Sequence, residues 1–340
     1  MKVLFATYPM AFHTPGGGEI QLLAYRKHLP ACGVDVTLFD PWKPRFLEHD
    51  LLHFFSCIGG SIHFCHFVKQ LGLPLVVSSS LWITTETRHL YPVDEIRAQL
   101  ALADRVITNS ELESDALASV LDLPRSKFAA VYNGIDAFFM QSAGPEPFRE
   151  RFGIYDRFVL NVGNIEPRKN QLTLVRAMRA FPEFKLVLIG HQRDPAYAAQ
   201  VLSEGEGQVL YLGPMQHDQM LLSAYRACEL FCLPSMLETP GLAALEAGAQ
   251  GARLLLTKEG SCGEYFGHSA QYIDPLSVDG LRDALGSMLA DSVAHGCDKG
   301  KVFQAEAFLW SVTVGRLKEI YAEVIAEKIE AGRASSRVTV

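Results

Sequence analysis

The chain has 340 residues, is 49% hydrophobic, and sets 31 basic against 38 acidic side chains for a net charge of −7. That length favours two ordinary domains, each with its own core, over one, and the acidic balance gives no global attraction for nucleic acid or an anionic membrane. The seven cysteines are scattered without a Cys-x-x-Cys pair, which argues against a disulfide framework and a zinc ribbon alike.

No apolar run reaches the roughly eighteen residues of a spanning helix, and "MKVLFATYPM" enters a strand pattern without a signal-peptide cleavage site. The expectation is a soluble, cytoplasmic protein. In chain order, short apolar or β-branched runs alternate with amphipathic stretches, the pattern of βαβ units and parallel sheets buried on both faces. The fold class is therefore α/β. Strands are expected at "KVLFATYP", "VDVTLFD", "LLHFFS", "LPLVVSSS", "RVITNS" and "AAVYNG", with helices notably over residues 19–29 and 111–121. The polar stretch 141–150, "QSAGPEPFRE", reads as a linker or loop. A second series then follows: "FVLNVG", "KLVLIG", "QVLYLG", "LFCLPS", "RLLLTK" and "QYID". Residues 299–329 carry apolar groups at helical spacing and read as a terminal helix pair, and the tail "AGRASSRVTV" reads as loose. In two tandem open sheets, ligands sit beyond the C-terminal ends of strands, so a cleft between the domains is the expected site.

Four strand-end motifs stand out. The first strand leads into Gly16, Gly17 and Gly18 ahead of a helix, where backbone amides can approach a ligand oxygen and suit a phosphate; a flexible turn is the plain alternative. The sixth ends in Asn133-Gly134, which permits a left-handed turn. After the seventh, "NVGNIEPRKN" sets Arg168 and Lys169 at a strand-to-helix corner with Pro167 fixing the turn, two cations suited to an anion or, more plainly, a solvated surface pair. After "ELFCLPS" come Glu238, Thr239, Pro240 and Gly241, then a helix over residues 242–249 whose first-turn amides at Leu242 and Ala243 are free for a ligand. Glu246 lies about one and a half turns into that helix. The two glutamates are thus too far apart for a close acid/base pair and suit different hydroxyl-rich parts of one extended ligand, or else a cap and a surface position.

Taken together, "GGGE", "NGID", "EPRKN" and "E-T-P-G-L-x-x-L-E-A" in this order resemble the retaining glycosyltransferases of family four, which have the GT-B fold of two Rossmann-like, doubly wound domains facing each other across a cleft. The resemblance covers nearly the whole chain. It implies an acceptor-binding domain over 1–144, a donor-binding domain over 145–305, a helix over 306–330 crossing back to the first domain, and a flexible tail over 331–340. It implies transfer of a hexose from a nucleotide-diphosphate sugar, GDP- or UDP-linked, to a sugar or glycolipid acceptor with retained configuration, in polysaccharide or lipopolysaccharide-type assembly. No metal or other cofactor is implied, and no nucleic acid partner. Glu246 would bind the ribose, Glu238 the transferred sugar, and Gly241 to Ala243 the diphosphate, with Arg168 and Lys169 neutralising charge on the leaving group. Gly17, Gly18, Asn164, Thr239 and Pro240 complete the donor contacts.

Two positions depart from the family pattern. Asn164 stands where many members carry an arginine. "PLVVSSSLWITTE" has no histidine at the end of the fourth strand, so Ser79, Ser80 or Trp82 would line the pocket, with His13 near the acceptor. His63, Cys65 and His66 cluster without a third metal ligand and read as packing or surface residues; Cys228 and Cys232 read as buried thiols. Trp42, Lys43, Arg45 and Phe46 in "DPWKPRF" suit either a peripheral contact at the inner face of a membrane or a solvated loop. The oligomeric state is left open. Two other readings keep the same fold: a silent nucleotide-sugar-binding scaffold, and a nucleotide-sugar 2-epimerase.

Overall fold

The computed structural model describes residues 1–13, 16–295 and 303–338. The chain divides into two compact units, Met1–Asn133 with Phe308–Val340, and Gly134–Ala307. The first holds strands β1 (Lys2–Thr7), β2 (Asp35–Leu38), β3 (Leu51–Phe55), β4 (Leu75–Ser78), β5 (Arg105–Thr108) and β6 (Phe128–Ala130), with helices α1 (Gly17–His28), α2 (Ile62–Gln70), α3 (Val93–Leu102) and α4 (Glu111–Leu121). The second holds β7 (Phe158–Val162), β8 (Lys185–Ile189), β9 (Val209–Tyr211), β10 (Leu230–Leu233), β11 (Leu254–Thr257) and β12 (Ala270–Ile273). Its helices are α5 (Glu146–Phe152), α6 (Gln171–Met178), α7 (Pro195–Glu204), α8 (Gln219–Ala227), α9 (Leu242–Ala249), α10 (Cys262–Phe266) and α11 (Val278–His295). A last helix, α12 (Trp310–Val338), belongs to the first unit.

Every strand pairing is parallel, in the orders β2-β1-β3-β4-β5-β6 and β12-β11-β10-β7-β8-β9. The central strands are buried along their whole length and mostly apolar because helices cover both faces, with His53, Ser78 and Thr257 as buried polar exceptions. Chain direction across the sheet reverses between β1 and β3 in the first unit and between β7 and β10 in the second. Loops leaving such a switch point diverge to opposite faces and leave a crevice at the strands' C-terminal ends. Both glycine- and cation-bearing motifs lie at these two points.

Several sequence expectations are revised. The stretch 141–150 is not all loop: Pro145 opens α5, whose Phe148 is fully buried. Residues 303–329 hold one long helix, preceded by a short 3-10 turn at Ala305–Phe308, where a helix pair was expected over 299–329; residues 299–302 lie outside the described residues. That helix runs on through "AGRASSRV", where a loose tail was expected, because nothing in it breaks the turn. Helix α1 starts at Gly17, two residues before the expected Glu19, since Glu19 Oε2 accepts the Gly16 amide at 2.7 Å and closes the first turn from within. In the "DPWKPRF" loop, Phe46 turns inward onto Phe39, Phe64 and Phe67, while Trp42 is 90% exposed. Among the described residues no helix is long and apolar enough to cross a membrane.

α12 is fixed to its unit through buried rings. Trp310 meets Tyr25 edge-on with centroids 5.8 Å apart, and His53 joins Tyr321 Oη at 2.5 Å through Nδ1 and Ser78 Oγ at 2.8 Å through Nε2. Burial pushes the His53 imidazole down to about 3, so it is neutral, one ring nitrogen donating and the other accepting. An unfolded chain would take up a proton below pH 6.5 or so that the folded one refuses, and stability tied to His53 is therefore lost as pH falls from about 6.5. Glu113 and Glu246, both pushed up to about 7 by burial, work in the opposite sense over the same window. The clean readout is a difference. The stability gap between wild type and His53→Gln in urea denaturation should shrink by about 2 kcal/mol between about pH 7.5 and about pH 5, and a constant gap would disprove the neutral buried imidazole.

Candidate functional site

At the second unit's switch point, β7 runs into Gly163, Asn164 and Ile165, then a 3-10 turn at Pro167–Lys169. Asn170 adopts φ 58°, a left-handed conformation that asparagine tolerates better than most residues. Its side-chain amide donates to the carbonyls of Pro234 at 3.1 Å and Pro275 at 2.8 Å, and Met236 donates its amide to the Arg168 carbonyl at 2.8 Å. The cationic corner is thereby fastened to the loop that follows β10.

The side chains converge. Lys169 Nζ donates to Glu238 Oε1 at 2.5 Å, the two side chains being 14% and 6% exposed. Arg168 Nη1 stands 3.9 Å from the same oxygen, and its Nη2 pairs with Glu166 at 3.1 Å; its side chain is half exposed. Burial alone would raise the Glu238 carboxyl, but the charges of Lys169 and then Arg168 outweigh it and hold the group below its ordinary value. The Ser235 hydroxyl also favours the ionised Glu238 carboxylate, whereas the buried Ser261 hydroxyl has no hydrogen-bond partner among the described residues. A carboxylate, an ammonium and an unsatisfied hydroxyl in one buried place make a site ready for a polar ligand.

Two glycines hold the Glu238 loop in shape. Gly260 has φ 96°, and a Cβ there would stand 2.1 Å from the Glu238 carbonyl oxygen. Gly241 has φ 85°, and a Cβ there would stand 2.8 Å from Leu233 and 3.3 Å from Glu238 Oε2. The Thr239-Pro240 peptide is cis, and Leu242 and Ala243, both half-buried, open α9. Glu246 lies apart from the cation pair. It is buried, accepts the hydrogen bond of Tyr225 Oη at 2.7 Å, and burial pushes its carboxyl up to about 7. Asn164 offers its backbone carbonyl to Gln171 Nε2 at 2.9 Å; no side-chain cation stands at that position.

In the first unit, Gly18, Ser79 and Ser80 line a cavity of about 190 Å³ together with Tyr8, Glu19 and Cys57. It lies at the β1/β3 switch point. The glycine run is not an open anion cradle, because the Glu19 carboxylate already takes the Gly16 amide and repels a second negative charge. Gly17 is exposed. Ser79 donates to Glu113 Oε1 at 3.0 Å and so faces inward, whereas Ser80, at φ 44°, turns towards the cavity. Trp82 is half-buried and does not line it; His13 is exposed at the end of a short 3-10 turn. His63 and His66 flank a shallow surface hollow on α2 and α3, and among the described residues no group of three or more His, Cys, Asp or Glu could hold a metal.

Residues 145–301 match the family model for glycosyl transferases group 1. That segment, most of the second unit, is similar to the group 1 glycosyl transferases. Among curated relatives, the chain is 28% identical over 236 residues to a D-inositol 3-phosphate glycosyltransferase of Mycobacteroides abscessus, covering 66% of this chain and 53% of that one. It is 25% identical over 248 residues to the serotype-specific mannosyltransferase WbdA of Escherichia coli, covering 69% of this chain and 29% of that one. The chain thus spans about half the length of the first relative and under a third of the second. Among solved structures, sucrose-phosphate synthase from Thermosynechococcus elongatus superposes with TM-score 0.79 at 18% identity, over 96% of this chain and all of that one. Anabaena HepE in complex with UDP and glucose superposes with TM-score 0.76 at 18% identity, over 95% of this chain and all of that one. These likenesses show the GT-B fold.

Two buried residues beside these candidate sites escaped the sequence reading. Tyr225 sits on α8 as one more apolar-face residue, and only the fold reveals its hydroxyl under Glu246. Glu113 had a signal in "NSELE", since Ser110 caps α4 by accepting the Glu113 amide at 3.0 Å, but its inward carboxylate did not. Because Lys169 and Glu238 are buried against each other, removing one strands the other. Lys169→Met and Glu238→Gln should each destabilise by about 2–4 kcal/mol and the double variant by clearly less than their sum; additive losses in urea denaturation would show that the pair is not coupled.

Proposed function

We propose that the protein moves a hexose from a GDP- or UDP-linked sugar to a sugar or lipid-linked glycan acceptor, with retained anomeric configuration, in surface-polysaccharide assembly. The observation that supports this most is the Lys169–Glu238 pair with Arg168 beside it, at the C-terminal ends of neighbouring strands β7 and β10. The first unit's cavity serves the acceptor. The WbdA relative, a mannosyltransferase by name, and HepE, whose structure is a complex with UDP and glucose, agree with this donor class.

In the proposed step the bond from the anomeric carbon to the diphosphate oxygen breaks. The acceptor oxygen bonds to that carbon on the same face of the sugar, and its proton passes to the departing phosphate oxygen. About one extra negative charge then gathers on the diphosphate, and fixed cations and helix-start amides aimed at it are the largest catalytic contribution to expect. Lys169 has two further N–H donors beyond the one given to Glu238, and Arg168 is half exposed to a ligand. Cationic side chains and backbone amides do this work in the proposal, with no metal. Glu238 holds Lys169 in place and meets the transferred sugar, and Glu246 accepts the ribose hydroxyls. A binding-only protein is the second reading, favoured by Asn164 and by a Ser79 hydroxyl engaged with Glu113.

Three measurements test this. Wild type incubated with a panel of nucleotide sugars and no acceptor should release nucleoside diphosphate slowly, and no release from any of them would favour the binding-only reading. Lys169→Ala should lower turnover about a hundred- to a thousand-fold with an unchanged fold by circular dichroism, and full activity would remove the phosphate role. Nucleoside diphosphate affinity in calorimetry should climb as pH rises through about 7, where Glu246 ionises next to Tyr225 and His217. Glu246→Gln should bind more weakly and with a shallower rise, what is left coming from the ligand's own terminal phosphate, which ionises at about pH 6; a rise as steep as that of wild type would refute the ribose assignment.

A further inference from the structure

The two oxygens of the buried Glu246 carboxylate are not equivalent. Oε2 is taken by the fully buried Tyr225 hydroxyl at 2.7 Å. Oε1 lies 3.8 Å from Nε2 of His217, whose side chain is 60% exposed. An exposed imidazole thus flanks Oε1, the oxygen that Tyr225 leaves untaken.

The ring is held there by its surroundings. Phe139 packs against it edge-on, centroids 5.2 Å apart, and two residues on, Gln219 donates to Gln141 Oε1 at 2.7 Å. Gln250, one turn beyond Glu246, donates from Nε2 to the carbonyls of Phe139 at 2.6 Å and Gln141 at 2.9 Å. The helix that carries Glu246 and the loop that carries His217 are thus tied to one intermediate segment. An exposed side chain fixed beside the open oxygen of a buried carboxylate is placed to meet whatever that oxygen binds.

We propose that His217 is a further nucleoside-contact residue, which meets the ribose or base edge of the donor at the open oxygen of Glu246. The proposal rests on the reading of Glu246 as the ribose acceptor. A neutral imidazole offers one N–H, one lone pair and a planar face, and a ribose hydroxyl that donates to Glu246 can accept from that N–H. Inorganic pyrophosphate has no such group and makes no use of His217. If the contact with Glu246 were only a structural ion pair, its removal would alter melting temperature and leave ligand discrimination unchanged.

The test compares wild type, His217→Ala and His217→Gln in calorimetric titrations with UDP, GDP, ADP and inorganic pyrophosphate. His217→Ala should weaken the tightest of the three nucleoside diphosphates by about 3- to 10-fold while pyrophosphate affinity stays unchanged. His217→Gln, which keeps an N–H donor, should recover part of the loss. Unchanged nucleoside diphosphate affinity in His217→Ala, or equal weakening of pyrophosphate, overturns the proposal and leaves the donor reading standing. Failure of wild type to bind any of the three nucleoside diphosphates overturns both.

Discussion

An ammonium and a carboxylate packed against each other with little water between them set the terms for the second unit. Glu238 can stay ionised under burial only because Lys169 touches it and Arg168 stands near, and Lys169 gains a fixed position that a solvated lysine would lack. Around that contact the backbone has little latitude. Asn170 must turn left-handed, and Gly260 must present no side chain to the Glu238 carbonyl. The pair thus explains why three separate loops, after β7, β10 and β11, have the shapes they have.

The first unit uses the same topological device with different chemistry. Its switch-point cavity has a carboxylate at the helix start rather than a cation at the strand end. Glu113, buried in the same unit, accepts from Ser79, Leu81 and Asn109 at once, so a single carboxylate fixes the loop that carries Ser80. An acidic lining favours neutral, hydroxyl-bearing molecules over phosphates, which separates the two units by the charge each tolerates.

Much of the fold was legible in the sequence because buried parallel strands are continuous apolar runs with few alternative uses. Eleven of the twelve described strands fall where runs such as "KLVLIG" and "LFCLPS" announced them, while β6 ends at Ala130 and shares only Ala129 and Ala130 with "AAVYNG". Charge-bearing corners were legible too, since Arg168, Lys169 and Glu238 are adjacent to strand ends in the chain. What stayed hidden was contact across the fold. Tyr225 and Glu246 are on different helices, His53 and Tyr321 at opposite ends of the sequence, and no local pattern reports a hydrogen bond between them. Helix limits were hidden for another reason: a carboxylate three residues downstream can start a helix on glycines, and a polar tail can continue one.

That α12 completes the first unit also bears on the order of events at the ribosome. His53 and Tyr25 are made early, yet Trp310 and Tyr321, which cover them, emerge only after the whole of the other unit. Through most of synthesis the first sheet waits with one aromatic flank uncovered, while the later-made body has every strand it needs. The nascent chain should therefore acquire its stable parts in the reverse of their genetic order.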